Sequence, residues 1–164
     1  YCEVKFGVRT DTMDLLGEVI GGRNPSEEEL TSMRESDFLL IRDAFAQIAA
    51  QTEQVPPMYS AKKINGVKAY DLARQGIEVE LKPAPIKIYD LRIDFIKVQD
   101  GELTAGFDVE CSKGTYIRKI CDDLGEITGF GAHAVVLRRT KCGPFTVDEA
   151  YTEETLKDMK EGKM

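Results

Sequence analysis

Residues 111–125 read CSKGTYIRKICDDLG, and this run decides how the chain is laid out. Ahead of it, Glu102 to Glu110 has the alternation and β-branched content of a strand. Lys113-Gly114 supplies a turn. Ile117, Ile120 and Leu124 then recur at helical spacing, so the chain passes from strand through turn into helix. Arg118 falls in the first turn of that helix. The helix dipole favours anions at its N-terminus, so a cation there works against it. An arginine so placed usually has a carboxylate or phosphate partner. A solvated surface arginine is the other reading that spacing allows.

Beyond this run, Ala132–Thr140 reads as a buried strand, and an acidic helix is expected near 153–161. Ahead of it, Asp100-Gly101 is a two-residue hairpin signal joining Ile86–Val98 to Glu102–Cys111. Pro25-Ser26-Glu27-Glu28-Glu29 starts a helix, with Ser26 and Glu29 at capping-box spacing. A second helix places Phe38, Ile41, Phe45 and Ile48 on one face and stops at Pro56-Pro57. Residues 55–66 have turn chemistry and read as an exposed loop, followed by a short helix near Ala69–Gln75. At the start, Tyr1, Glu3 and Lys5 alternate with Cys2, Val4 and Phe6 as a strand over 1–8. Strands joined by hairpins, with helices between them, predict an α+β domain whose mixed, largely antiparallel sheet is flanked by helices.

A chain of 164 residues is long enough for one domain with a substantial core. No apolar run approaches the roughly 20 residues that span a bilayer, and no signal-peptide pattern occurs, so a cytoplasmic protein without a membrane partner is expected. Cysteines 2, 111, 121 and 142 form no CxxC pair and have no ligand spacing with the lone His133, so no metal site is expected. Reduced thiols fit this pattern better than disulfides. The net charge of −7 argues against nucleic acid until its distribution is considered. Residues 111–142 hold six cations against three acids, and 62–74 hold four against one. Phosphate contacts depend on local potential, so an acidic protein can present a basic face.

Ser112 to Arg118, with Asp122-Asp123-Leu124-Gly125 and Gly131-Ala132-His133, resembles the bacterial TruB-type tRNA pseudouridine synthases. So does Gln54-Val55-Pro56-Pro57-Met58-Tyr59-Ser60-Ala61-Lys62-Lys63, followed by Gly66, Tyr70 and Ala73-Arg74-Gln75-Gly76. Gly7 to Asp14, with Gly17, is a third matching block. One departure lies ahead of the second block, where the family's Phe-x-Gly pattern is replaced by Ile48-Ala49-Ala50.

The resemblance implies isomerisation of uridine-55 in the tRNA T-loop to pseudouridine, without cofactor or metal, by a monomer that holds the T-arm. It assigns 1–150 to part of the catalytic domain, with 55–76 as an RNA-binding insertion, and 151–164 to a C-terminal helix. Asp14 corresponds to an aspartate that shares an ion-pair network with the family's arginine, here Arg118, and with the nucleophilic aspartate. On bare sequence an aspartate so placed is more often a turn-former than a catalytic group. Tyr1 corresponds to the active-site tyrosine that stacks on the base and helps remove the C5 proton. Tyr116 and Leu137 correspond to apolar positions of the uracil pocket, although ordinary core packing would also account for them. Lys63, Arg74 and Tyr59 correspond to the insertion that closes over the T-loop, where solvated surface lysines are the plainer account. The family's Gly-Thr-Leu-Asp-type nucleophile motif does not occur here, so the chain is expected to be a fragment inactive alone. A non-catalytic RNA-binding module and an acidic interaction domain are the other classes compatible with that absence.

Overall fold

The computed structural model describes residues 1–162. Strand β1 (Cys2–Phe6) alternates as the sequence predicts, with Cys2, Val4 and Phe6 fully buried. It ends at Gly7, whose φ of 101° removes the chain from the strand direction. A short ladder follows, β2 (Arg9–Thr10) against β3 (Val19–Gly21), and it brackets the loop 11–18. Helix α1 (Glu27–Glu35) begins with both halves of the expected capping box. Asp37 and Phe38 then adopt left-handed backbone and redirect the chain into α2 (Leu39–Ala49). Ile41, Phe45 and Ile48 are buried on its inner face, each burial worth roughly 1.5–3 kcal/mol.

Strand β4 (Glu53–Gln54) leads into the proline-rich segment. The expected exposed loop over 55–66 contains more structure than its composition announces. Strands β5 (Lys63–Ile64) and β6 (Val67–Lys68) form a hairpin, with Asn65-Gly66 both left-handed at its tip. Helix α3 (Ala69–Arg74) follows directly, and β7 (Ala84–Pro85) returns to pair with β4. Strands β8 (Ile88–Gln99) and β9 (Glu102–Cys111) are the long hairpin predicted around Asp100-Gly101.

Helix α4 (Ile117–Thr128) and strand β10 (Ala132–Leu137) complete the core. The main sheet has the order β10-β1-β9-β8 and is antiparallel throughout; a single bridge, Asp14 to Ala134, is parallel. Helices α2 and α4 cover one face, where Phe45 meets Phe107 edge to face at 5.2 Å. Gly125 is required where α4 crosses the chain at Gly131-Ala132, because a Cβ there would lie 2.2 Å from the Ala132 nitrogen.

The strand expected over Ala132–Thr140 stops at Leu137. The chain then forms a small hairpin, β11 (Lys141–Cys142) with β12 (Phe145–Thr146). A terminal helix, α5 (Glu153–Lys160), is capped by the Thr152 hydroxyl and buries none of its residues. Residues 163–164 of the helix expected over 151–164 lie outside the described residues. No helix of the described residues is long and apolar enough to cross a membrane.

Candidate active site

The loop 11–18 is held in one shape by its own short side chains. The Asp11 carboxylate accepts from the Glu18 backbone N–H at 2.9 Å. Asp14 Oδ1 accepts from the Thr12 hydroxyl at 2.7 Å and from the Leu16 N–H at 3.0 Å. The buried Thr10 hydroxyl donates to the Asp14 carbonyl at 2.6 Å. Gly17 closes the turn where a Cβ would lie 2.3 Å from the Thr12 hydroxyl. Met13, at φ 64°, accepts from the Ala134 N–H at 3.0 Å and so docks the loop onto the edge strand β10.

Helix α4 grips this loop and the strand β2 that leads into it with two charge pairs of opposite polarity, one turn apart. Asp122, 1% exposed, accepts from Arg9 Nε at 2.7 Å and from Lys119 Nζ at 3.0 Å. Arg9 also reaches Glu126 at 3.0 Å, and its hydrogen bond to Asp122 holds its pKa above the ordinary value. Asp122, Asp123 and Glu126 cluster closely enough to hold a metal ion, yet Lys119 and Arg9 between them already pair with all three. The cluster therefore acts as an ion-pair anchor for the start of the loop.

One turn earlier, the Arg118 guanidinium donates to the Thr12 carbonyl from Nη1 and to the Tyr59 carbonyl from Nη2, both at 2.9 Å. Its Nη1 lies 3.7 Å from Asp14 Oδ2. The anionic partner expected for a cation at this helix start is thus Asp14. The remaining N–H groups of Arg118 find no acceptor among the described residues, and only one carboxylate of those residues reaches it. One planar fork joins the loop 11–18 to the segment around Tyr59.

Asp14 and Arg118 line a cleft of about 150 Å³ with Leu15, Leu16 and the strand residues Ala134–Leu137. Leu16 and Leu137 are 86% and 52% exposed, so the cleft has an ionic element and a solvent-facing apolar rim. A larger cleft, about 210 Å³, lies along α4 beside Arg9 and Glu126. Arg9 and Glu126 are paired with each other there.

The structure therefore brings Asp14, Arg118 and Leu137 together. Tyr1 is not with them, because strand parity forbids it. Cys2, Val4 and Phe6 face the helices, so Tyr1, Glu3 and Lys5 face the other side of the sheet. The Tyr1 hydroxyl donates to Glu3 at 2.9 Å and lies over Gly106. Desolvation and then the Glu3 carboxylate push its pKa up to about 12. Tyr116 sits beside the cleft at the start of α4, but its ring is not part of the cleft wall. Tyr59 joins the site through its carbonyl. Lys63 and Arg74 lie away on the hairpin and α3, where Arg74 and Lys68 both stack over the Tyr70 ring at 5.2 Å.

Gln54 holds the start of α4, although nothing in its residue type or spacing points to a chemical part there. Its side-chain amide pairs with the Tyr116 backbone, accepting from N–H at 2.8 Å and donating to the carbonyl at 3.0 Å. Ser60, next to Tyr59 and 4% exposed, has a hydroxyl with no partner among the described residues. Such a group costs about 1–3 kcal/mol when left unmet.

Residues 1–117 match the family model described as TruB family pseudouridylate synthase (N terminal domain). Residues 118–163 match the tRNA pseudouridylate synthase B C-terminal domain. The two models meet inside α4, whose buried residues belong to the same core as β1 and β9, so their boundary does not divide the fold. The tRNA pseudouridine synthase B of Syntrophotalea carbinolica is 42% identical over 154 residues, covering 94% of this chain and 46% of that protein. The same enzyme from Francisella tularensis subsp. novicida is 40% identical over 161 residues, covering 95% and 48%. The chain thus spans about half the length of these curated relatives. A chain in the crystal structure of a Cbf5-Nop10-Gar1 complex superposes with a TM-score of 0.52 at 21% identity, over 99% of this chain and 38% of that one. That likeness shows a shared fold.

Proposed function

This chain belongs to the TruB family of pseudouridylate synthases, and from that premise we propose that it forms part of the catalytic domain of a tRNA pseudouridine synthase acting on uridine-55 of the T-loop. The observation that carries the reading is the Asp14–Arg118 pair, fixed at an apolar-rimmed cleft by a loop with no slack. A base inside a folded T-loop must leave its stack to be reached. Leu137 and Leu16 offer the apolar wall for such a base, and the Asp14–Arg118 pair sets the charge at one end of the cleft. In the reaction the N1–C1′ bond breaks, the uracil turns, C5 bonds to C1′, the C5 proton leaves and N1 takes up a proton. Substrate and product have the same atoms, so the isomerisation consumes no oxidant or reductant.

The nucleophilic aspartate of this scheme is not assigned to any residue of the chain. The unused donors of Arg118 suit a second carboxylate beside Asp14, and the family's ion-pair network has one. Tyr1 is left out of the scheme. Tyr59, Lys63 and Arg74 belong to the segment proposed to hold the T-arm of a tRNA bound to a protein monomer in the cytoplasm.

The reading is tested by mapping pseudouridine on an unmodified tRNA transcript after incubation with the full-length protein. Conversion of one T-loop uridine is expected; binding of the transcript with no modified position would favour the RNA-binding module instead. The insertion has its own test. Removing one phosphate-binding cation should lower the salt slope of binding by about one. Lys63→Ala with Arg74→Ala should weaken tRNA binding and flatten its salt dependence. Glu27→Gln with Glu28→Gln should do neither. Glu29 is unsuitable as a control, because it closes the capping box and binds Arg23 at 2.8 Å. Equal slopes for the wild type and the Lys63/Arg74 variant would remove these residues from the RNA interface.

A further inference from the structure

We propose that Gln54 is a positioning residue for Arg118, acting through the backbone of Tyr116; the inference rests on the reading of Arg118 as part of the uridine site. Helix α4 begins without a side-chain cap of its own, and Tyr116, at its N-cap, has extended backbone at φ −97° and ψ 112°. A residue 62 positions earlier in the chain accepts from the N-cap residue's own N–H, the bond that the glutamate of a capping box would otherwise make. Gln54, 4% exposed, sets its carboxamide against the Tyr116 peptide as a two-bond pair, at 2.8 Å and 3.0 Å. The same Tyr116 carbonyl accepts the first helical bond, from Ile120 N–H at 3.2 Å. Gln54 thereby sets the place of the first turn of α4, in which Arg118 is the second residue.

The segment that carries Gln54 grips this turn twice. Gln54 holds its backbone, and five residues on the Tyr59 carbonyl takes one arm of the Arg118 fork. Gln54 is itself fixed by the pairing of β4 with β7, where Gln54 lies opposite Ala84. The geometry asks for one donor and one acceptor on a planar group, which glutamine supplies and an ionised glutamate does not. A hydrogen-bonded fork loses alignment with small displacements, and a shift near 1 Å can cost about a hundredfold in rate.

The test uses the full-length protein and unmodified tRNA. Gln54→Ala should lower kcat at least about tenfold with KM changed less than about threefold, the signature of impaired transition-state alignment. Gln54→Glu, which keeps the shape and the acceptor, should show the same split and carries the test if Gln54→Ala does not fold. The combination with Arg118→Lys identifies the route. If Gln54 acts through Arg118, the double variant should be no slower than Arg118→Lys alone. A wild-type kcat in both Gln54 variants, or losses that multiply in the double variant, would overturn the inference. Wild-type turnover in Arg118→Lys would overturn the reading of the site as well, so the two failures are told apart.

Discussion

In the full-length protein, Arg118→Lys should lower turnover about a hundredfold or more, the scale of losing a preorganised electrostatic interaction. Lysine keeps the charge but lacks the fork. The guanidinium spans the Thr12 carbonyl, the Tyr59 carbonyl and the Asp14 carboxylate at once, and one ammonium cannot face all three in that geometry. The affinity for tRNA should change little, because Arg118 bonds to the protein's own loops. Single-turnover kinetics at saturating enzyme separates the two effects. If binding collapses while turnover per bound complex survives, Arg118 is a phosphate ligand and the ion-pair account fails.

The second large effect concerns the 164-residue chain by itself. Residues 1–164 should show no detectable isomerisation of tRNA, since Asp14 is the one carboxylate of the described residues that reaches Arg118, and it lies outside the nucleophile's motif. Fusion to a segment carrying the family's Gly-Thr-Leu-Asp motif should restore turnover. Both proteins are assayed at equal concentration on the same transcript. Turnover by the 164-residue chain at the rate of the fusion would place the nucleophile within these residues and sink the prediction.

The parts of the fold legible in the sequence are those with enough residues to show a period or a turn dipeptide. Asp100-Gly101, both left-handed in the structure, signals the β8–β9 hairpin, and Ile120 and Leu124, both fully buried, signal α4. The capping box at Ser26 and Glu29 is local chemistry and forms as its spacing predicts. The short ladders β2–β3, β5–β6 and β11–β12 have strands of two or three residues, too few for alternation to register.

The site divides in the same way. Arg118 is half legible: a cation at a helix start invites an anionic partner, while spacing alone equally allows a solvated arginine. The Gln54 clamp is not, because it bonds to backbone, which leaves no mark on the partner's residue type. Tyr1 shows a conflict between two sources. The alternation of residues 1–6 already sets it on the face of Glu3 and Lys5, away from the buried Cys2, Val4 and Phe6. The family correspondence places it in the pocket regardless, and the register of β1 against β9 decides for parity.

The most direct measurement is release of tritium from tRNA labelled at C5 of uridine, catalysed by the full-length protein. Formation of a C5–C1′ bond requires loss of the C5 hydrogen, so the account predicts one tritium released per tRNA, and none once the T-loop uridine is replaced by cytidine. No release from a transcript that the protein demonstrably binds would contradict it.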